Sequence, residues 1–259
     1  MTGKRSIRIW QAGVGVILAG SWQLAVSAGL LDKFFFSRPS DIAVRVWDQA
    51  VSGKVWPHLW TTSLEAMLSF LIGGALGVLS GFVLARRPFL SAVLDPYIRV
   101  ANSLPRVVLA PIFLLWFGLG VWSKVALGVT VVFFIVFFNT YRGVREVDPA
   151  IVSNARMLGA NERQLVRHVL IPSALSWIFS SLHVAIGFAI IAVVVGEYLG
   201  ASMGIGYSIA QAEGVFDTTG VFAGMTVLAI FVLAVGALVQ RLERRLLRWK
   251  PPQQGSADL

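Results

Sequence analysis

The stretch Asp148-Pro149-Ala150-Ile151-Val152-Ser153-Asn154-Ala155-Arg156-Met157-Leu158-Gly159, running on through 161–168 to Val169-Leu170-Ile171-Pro172, is a long polar interruption in a chain that otherwise reads as membrane-spanning. A chain that only crosses a bilayer can turn around in a few residues. This one spends residues 148–172 on a charged, helical segment between two apolar runs, which predicts a docking surface on one face of the membrane. Asp148 is placed to accept early backbone N–H groups, and Pro149 suits the first helical position. Ile151, Ala155 and Leu158 then form one apolar stripe at helical spacing. Gly159 is placed to end this helix in a left-handed conformation, which costs a residue without Cβ little. Asn161 caps a second helix, with Gln164 three residues on as its capping-box partner. Leu165 and Val169 share one face while Arg163 and Arg167 share another, and Pro172 is expected to end that helix and open the next span. The product is a helix–turn–helix handle lying against the ends of a bundle.

Composition sets the class around that handle. Hydrophobic residues make up 56% of the 259 positions and charged residues 14%, with 25 glycines; the mean hydropathy is +0.75. These values describe a polytopic membrane protein rather than a soluble domain. Spans of roughly 20 apolar residues cross a core about 30 Å thick. Six stretches qualify: 10–30, 62–85, 93–117, 121–141, 173–199 and 219–240. The third carries Arg99, Asn102, Ser103, Pro105, Arg106 and Pro111, so it is expected to start late, to kink at a proline or to open with a short interfacial helix. Lys4, Arg5 and Arg8 ahead of the first span also fit a cleavable leader, with small residues at Ala25–Gly29. The length of the apolar run favours a retained helix. Cysteine is absent, which excludes disulfides and thiolate metal sites.

Charge placement orients the bundle. With the N-terminus inside, 17 of the 22 Lys and Arg fall on the inner side, and only Lys33, Arg38, Arg45, Lys54 and Lys124 lie outside. This positive-inside bias puts both termini in the cytoplasm. The outer bases are matched by Asp32, Asp41, Asp48, Glu213 and Asp217, so the net charge of +9 lies beside anionic lipid headgroups and calls for no nucleic acid. The organisation is a cytoplasmic N-terminus at 1–9, a transmembrane domain at 10–240 and a basic cytoplasmic tail at 241–259. The external segment 31–60 reads as a connection lying on the outer surface. Gly73, Gly77 and Gly81 recur every four residues. That small-residue stripe lets another helix approach closely, within the chain in preference to a second copy.

At this point the chain resembles a known family. Ala155, three residues, Gly159, nine residues and Val169-Leu170-Ile171-Pro172 match the spacing of the EAA loop of ABC-transporter importer permeases, whose pattern is Glu-Ala-Ala, three residues, Gly, nine residues, Ile-x-Leu-Pro. The Glu-Ala-Ala positions fall on Ser153-Asn154-Ala155, so the acid and the first alanine are replaced. Ser103-Leu104-Pro105, Leu109-Ala110-Pro111, Leu115-Trp116-Phe117-Gly118-Leu119-Gly120, Phe138-Asn139-Thr140-Tyr141 and Glu197-Tyr198-Leu199 followed by Gly204-Ile205-Gly206-Tyr207 resemble the branch that imports nitrate, sulfonates, taurine, bicarbonate and related compounds. The resemblance covers residues 60–240. It implies an all-α type I importer permease fold with six transmembrane helices and a cytoplasmic coupling loop at 148–172. It also implies a second permease copy forming a homodimer, two cytoplasmic ATP-binding subunits and an external substrate-binding protein, with ATP and Mg bound by the ATPase partner. Coupling to that partner then falls on Ala155, Gly159 and Pro172 for geometry and on Ser153, Asn154 and Arg156 as contacts.

No catalytic set is legible. His58, His168 and His183 are scattered, no carboxylate cluster accompanies them, and no GxxxxGK[ST] phosphate loop is present, so ATP is handled by another polypeptide. Polar residues inside spans are costly and mark pathways. Asn102, Asn139, His183 and Glu197 are the candidates for the translocation pathway or gate, Glu197 being adjacent to a glycine-rich segment at 200–206. Glu65 is expected at headgroup level, in contact with water. The reading is a permease subunit importing a small, anionic nutrient delivered by an external binding protein. An ion-coupled secondary carrier or channel is the alternative; a membrane enzyme or scaffold lacks the residues it would need.

Overall fold

Six apolar runs separated by charge, proline and glycine dictate long helices, because backbone groups in lipid must be satisfied within the segment that carries them. In a computed structural model, which describes residues 4–246 and the side chains of 6, 7 and 9–241, every regular element among the described residues is helical. In chain order these are α1 (Lys4–Ser27), α2 (Lys33–Phe36), α3 (Pro39–Val51), α4 (Val55–Arg86), α5 (Pro88–Ser103), α6 (Ala110–Phe117), α7 (Val121–Arg145), α8 (Pro149–Met157), α9 (Glu162–Leu165), α10 (Ile171–Leu199), α11 (Ile205–Gly214) and α12 (Thr218–Leu246). A 3-10 turn (Arg106–Leu109) leads into α6, and a π turn (Val166–Leu170) joins α9 to α10. Lys4, Arg5, Arg8 and the tail beyond Arg241 lie outside the described side chains.

Among the described residues five helices are long and apolar enough to cross a membrane, and six if the bent pair Pro88–Ser103 and Arg106–Phe117 counts as one crossing. That pair turns through 89°. The break falls at Leu104-Pro105, both in extended backbone, because proline bars its predecessor from helical geometry and offers no N–H of its own. Pro96, by contrast, stays inside α5. The second span starts earlier than expected, at Val55. At about 1.5 Å per residue its 32 residues exceed the hydrocarbon thickness, so its first turns, with exposed Trp56 and Trp60, suit a membrane interface, where such rings anchor a helix.

The chain folds as two compact units, Met1–Ser63 with Val194–Ala229 and Leu64–Val193 with Ile230–Leu259. In the second, the glycine stripe decides the packing. A Cβ at Gly73 would stand 2.8 Å from Val132 Cβ, at Gly77 2.8 Å from the Phe133 carbonyl, and at Gly81 2.7 Å from the Phe137 carbonyl. The stripe therefore seats α4 against α7 within one chain. Ser69 continues the seam, donating to the Val125 carbonyl at 3.3 Å. Val132 and Val136 of α7 meet Ala185 and Ala189 of α10 in the core. The pairs Ser69–Gly128, Gly73–Val132, Gly77–Val136 and Gly81–Thr140 share one register, and the same register sets Glu65 level with Lys124. Both side chains are buried, at 2% and 1% exposure, which corrects the expectation of a wet Glu65. A glutamate one turn inside a span is taken up by the seam rather than by headgroups. Lys124 likewise leaves the outer surface, donating to the carbonyls of Leu119 at 2.6 Å and Gly120 at 3.1 Å.

In the first unit the connection at 31–60 carries the helices α2 and α3. Asp32 caps α2 by accepting from Phe34 N–H at 2.8 Å. Lys33, at 2.9 Å, donates to Asp41 and holds that carboxyl below its usual range. Trp22 of α1 meets Phe222 of α12 edge-on at 5.4 Å. Ser37 and Phe216 are the non-glycine residues with positive φ, and they share one knot: Ser37 bonds Thr219 at 2.8 Å, Thr218 donates to the Phe34 carbonyl, and Arg45 pairs with Asp217.

Candidate functional site

The handle is built by local chemistry. The Asp148 side chain accepts Ala150 N–H at 2.8 Å and Pro149 opens α8. At the other end Gly159 adopts φ +83°, and paired bonds from Gly159 N–H to the Arg156 carbonyl at 2.9 Å and from Ala160 N–H to the Ala155 carbonyl at 3.0 Å close the helix, the geometry a left-handed residue permits. Asn161 and Gln164 then exchange reciprocal bonds of 2.9 Å as a capping box. Glu162 ties the element together, accepting from Arg156 at 3.2 Å and from Arg86 at the C-terminal end of α4 at 3.5 Å.

Two features differ from expectation. α9 does not end at Pro172: helix continues from Glu162 to Leu199. Ile171 N–H bonds back five residues to the Val166 carbonyl, and this π turn makes room for a proline that can neither donate to a fourth-residue carbonyl nor pass it without clash. Through the π turn the second helix of the handle is continuous with the fifth span. Second, α8 buries no residue. Ile151, Met157 and Leu158 are 51%, 78% and 88% exposed, so most of the apolar stripe faces outward instead of resting on the bundle. Ala155 and Gly159, with Leu158, Leu165 and Val169, line a cleft of about 320 Å³ between the two short helices. Ser153 and Asn154 are exposed on α8. An exposed apolar stripe beside a concave, capped turn marks a surface for contact with a protein or a membrane.

The pathway candidates take separate places. Asn139 donates to the Ile135 carbonyl of its own helix at 2.8 Å. His183 lies on an exposed face of α10. Asn102, at the end of α5, accepts from Arg106 at 2.9 Å. Glu197 is fully buried and organises the first unit: it accepts from Thr62 Oγ1 at 2.7 Å and from Gly206 N–H at 2.7 Å. Thr62 in turn accepts Ile205 N–H at 3.0 Å, and His58 Nδ1 accepts Gly204 N–H at 3.1 Å. The three backbone donors at the start of α11 are therefore all taken by side chains of α4 and α10. A Cβ on Gly204 would stand 2.2 Å from Glu197 Cδ, and one on Gly206 2.3 Å from the Val194 carbonyl. Glu197, with His58 and Thr62, is a clasp that fixes the segment 200–206. Sequence reasoning missed His58 and Thr62, although their spacing puts them on one helical face of α4, and it missed Arg106 as the partner of Asn102.

Comparisons place this architecture. Residues 73–249 match the model of the family described as binding-protein-dependent transport system inner membrane component. A putative aliphatic sulfonates transport permease from Bacillus subtilis is 31% identical, covering 95% of this chain and 90% of its own. A riboflavin transport system permease from Chloroflexus aurantiacus is 32% identical, covering 91% and 88%. Among solved structures, an inward-facing conformation of the MetNI methionine ABC transporter superposes with a TM-score of 0.57 over 75% of this chain and 93% of that one, at 22% identity; this likeness bears on the fold. With residues 73–249 inside that match and relatives above 30% identity along most of its length, the chain belongs to the family of binding-protein-dependent transport system inner membrane components.

Proposed function

We propose that this multi-pass membrane protein works as one of two identical permease subunits in an importer driven by two cytoplasmic ATP-binding subunits and fed by an external substrate-binding protein. The observation that carries the reading is the handle: an exposed apolar stripe beside a cleft, at EAA-type spacing, continuous through the π turn with a full span. An ATPase closing on ATP needs a rigid lever at the membrane face, and movement of α8 and α9 transmits to α10 without a hinge. Ala155, Gly159 and Pro172 shape this lever, Ser153 and Asn154 touch the partner, and Arg156 holds the lever shut through Glu162. ATP and Mg reside in the partner. Closure of the ATPases opens the pathway outward to the loaded binding protein, and hydrolysis returns it inward; Glu197, through its clasp on 200–206, belongs to the outer gate, and Asn102, Asn139 and His183 to the path. Both termini lie in the cytoplasm, as the excess of inner bases favours. The substrate class is a small anionic nutrient such as a sulfonate, nitrate or taurine.

The test is ATP hydrolysis by the purified permease–ATPase complex in lipid, with and without its binding protein, across nitrate and a series of sulfonates. Stimulation by the loaded binding protein alone is expected. Failure of the chain to associate with any ATPase subunit would return the reading to an ion-coupled carrier.

A further inference from the structure

The broken third span carries a cation where lipid does not tolerate one. Arg106 follows the break at Leu104-Pro105, and its guanidinium lies 4.7 Å over the centroid of the Phe134 ring. Phe134 stands near the middle of α7, about 20 Å by helical rise from Val121 and about 16 Å from Arg145. The charge therefore sits at the depth of the hydrocarbon core, not among inner headgroups as its place in the sequence suggested. Ionisable groups at that depth line water-filled cavities or mark ion and substrate paths. Unwound backbone there has the same meaning, and Asn102, Ser103 and Leu104 are exposed in the single chain.

What surrounds Arg106 orients it without neutralising it. Nη1 donates to the carbonyls of Ala101 at 3.2 Å and Asn102 at 2.9 Å and to that of Leu104; Nη2 donates to Asn102 Oδ1 at 2.9 Å. None of the ion pairs among the described residues includes Arg106. Asp95, on α5, is taken by Arg99 at 2.7 Å. The Nε–H and the second Nη2 hydrogen form no hydrogen bond among the described residues. Nε–H together with an Nη2 hydrogen is one of the pairs by which a guanidinium grips an oxyanion with parallel bonds. Carbonyls hold one side of the cation, a ring lies beneath it, and the bidentate edge is left with a full unit of charge to be met.

We propose that Arg106, held by the broken end of α5 and backed by Phe134, is an anion-binding site at mid-membrane depth that takes the sulfonate, carboxylate or similar oxyanion head of the transported molecule. Its place on a path rests on the permease reading, whereas anion binding itself does not. The site gives the substrate class a physical basis in this chain, because a cationic ligand is repelled and a neutral one leaves the charge uncompensated.

The experiment uses fluorine NMR on the full-length chain in phosphatidylcholine nanodiscs, with and without the ATPase subunits. Trifluoromethanesulfonate is the probe, and methyl trifluoromethyl sulfone is its neutral counterpart. Wild-type protein is expected to broaden the anion's signal and not the sulfone's. Arg106→Gln is expected to weaken the anion's binding by roughly tenfold, the loss of one charged hydrogen-bonding group, and Arg106→Lys to restore part of it. Asn102→Asp, which sets a carboxylate beside an intact arginine, is expected to weaken it equally, so the outcome does not hang on one variant's folding. No broadening with wild type, equal broadening in Arg106→Gln and Asn102→Asp, or equal broadening of the sulfone overturns the proposal. Loss of ATPase association with anion binding intact would overturn the permease reading alone.

Discussion

Two glycines with left-handed backbone separate conformational from steric necessity. Gly159 has φ +83° and open space where a Cβ would stand, whereas Gly204 has φ +121° and a Cβ that would fall 2.2 Å from the Glu197 carboxyl carbon. Gly159→Ala therefore costs about 1–2 kcal/mol of backbone strain, while Gly204→Ala adds the displacement of a buried carboxylate that Thr62 and Gly206 hold. Thermal unfolding of the chain in detergent is expected to fall further for Gly204→Ala than for Gly159→Ala, and equal losses would sink the clasp. The same clasp predicts that Glu197→Ala, which leaves the Gly206 donor unpaired in a buried site, costs on the order of 2–3 kcal/mol. Much of the handle was legible because its contacts are local: Asp148, Gly159, Asn161 and Gln164 act on residues within a turn of themselves. Glu197 was legible as a polar residue inside a span, but its partner Thr62 stands 135 residues away, as His58 stands 146 residues from Gly204, and no single-sequence period links them.

At the level of elements, proline and glycine act through the helices they join. The stripe Gly73, Gly77 and Gly81 was readable as a close-packing face because lipid leaves small residues few other uses; which helix fills it became clear only from the shared register with α7. Gly77→Leu forces α4 off the Phe133 carbonyl and the Val136 side chain, and overpacking of this kind is expected to cost about 1–3 kcal/mol, measured as a lower unfolding midpoint with retained helicity. The π turn was not legible, since a proline after a helical run reads as a stop and only the five-residue bond to Val166 shows the chain passing through it. Pro172→Ala removes the reason for that turn. Relaxation of 166–172 into regular α-helix re-aims α8 and α9 by a fraction of a turn, so the expected result is an ATPase that still binds but hydrolyses ATP without stimulation by the loaded binding protein. Normal coupling in this variant would mean the π turn is incidental to the lever.

Across the whole molecule, lipid makes the crossings legible and leaves the path obscure. Apolar runs name the spans, yet which face of each span meets lipid, water or protein is set by packing. α10 shows the difference. Ser180, His183, Val184 and Phe188 are exposed along it in the single chain, with Gly187 half-buried between them, and Val184 and Phe188 are suited to lipid while Ser180 and His183 are not. Under the proposed two-subunit arrangement, this polar edge on so apolar a span would face a second copy across a wet path. The absence of cysteine makes the point testable with one thiol at a time. His183→Cys, in the assembled complex in lipid, is expected to react with a charged, water-borne methanethiosulfonate on the order of tenfold faster than Leu79→Cys, because the reactive thiolate forms only in contact with water. Leu79 is 65% exposed on α4, so exposure in the single chain alone would make both thiols react alike. Equal rates would place His183 against lipid or protein and remove it from the path, while a rate at His183 that changes on adding ATP would tie this face of α10 to alternating access.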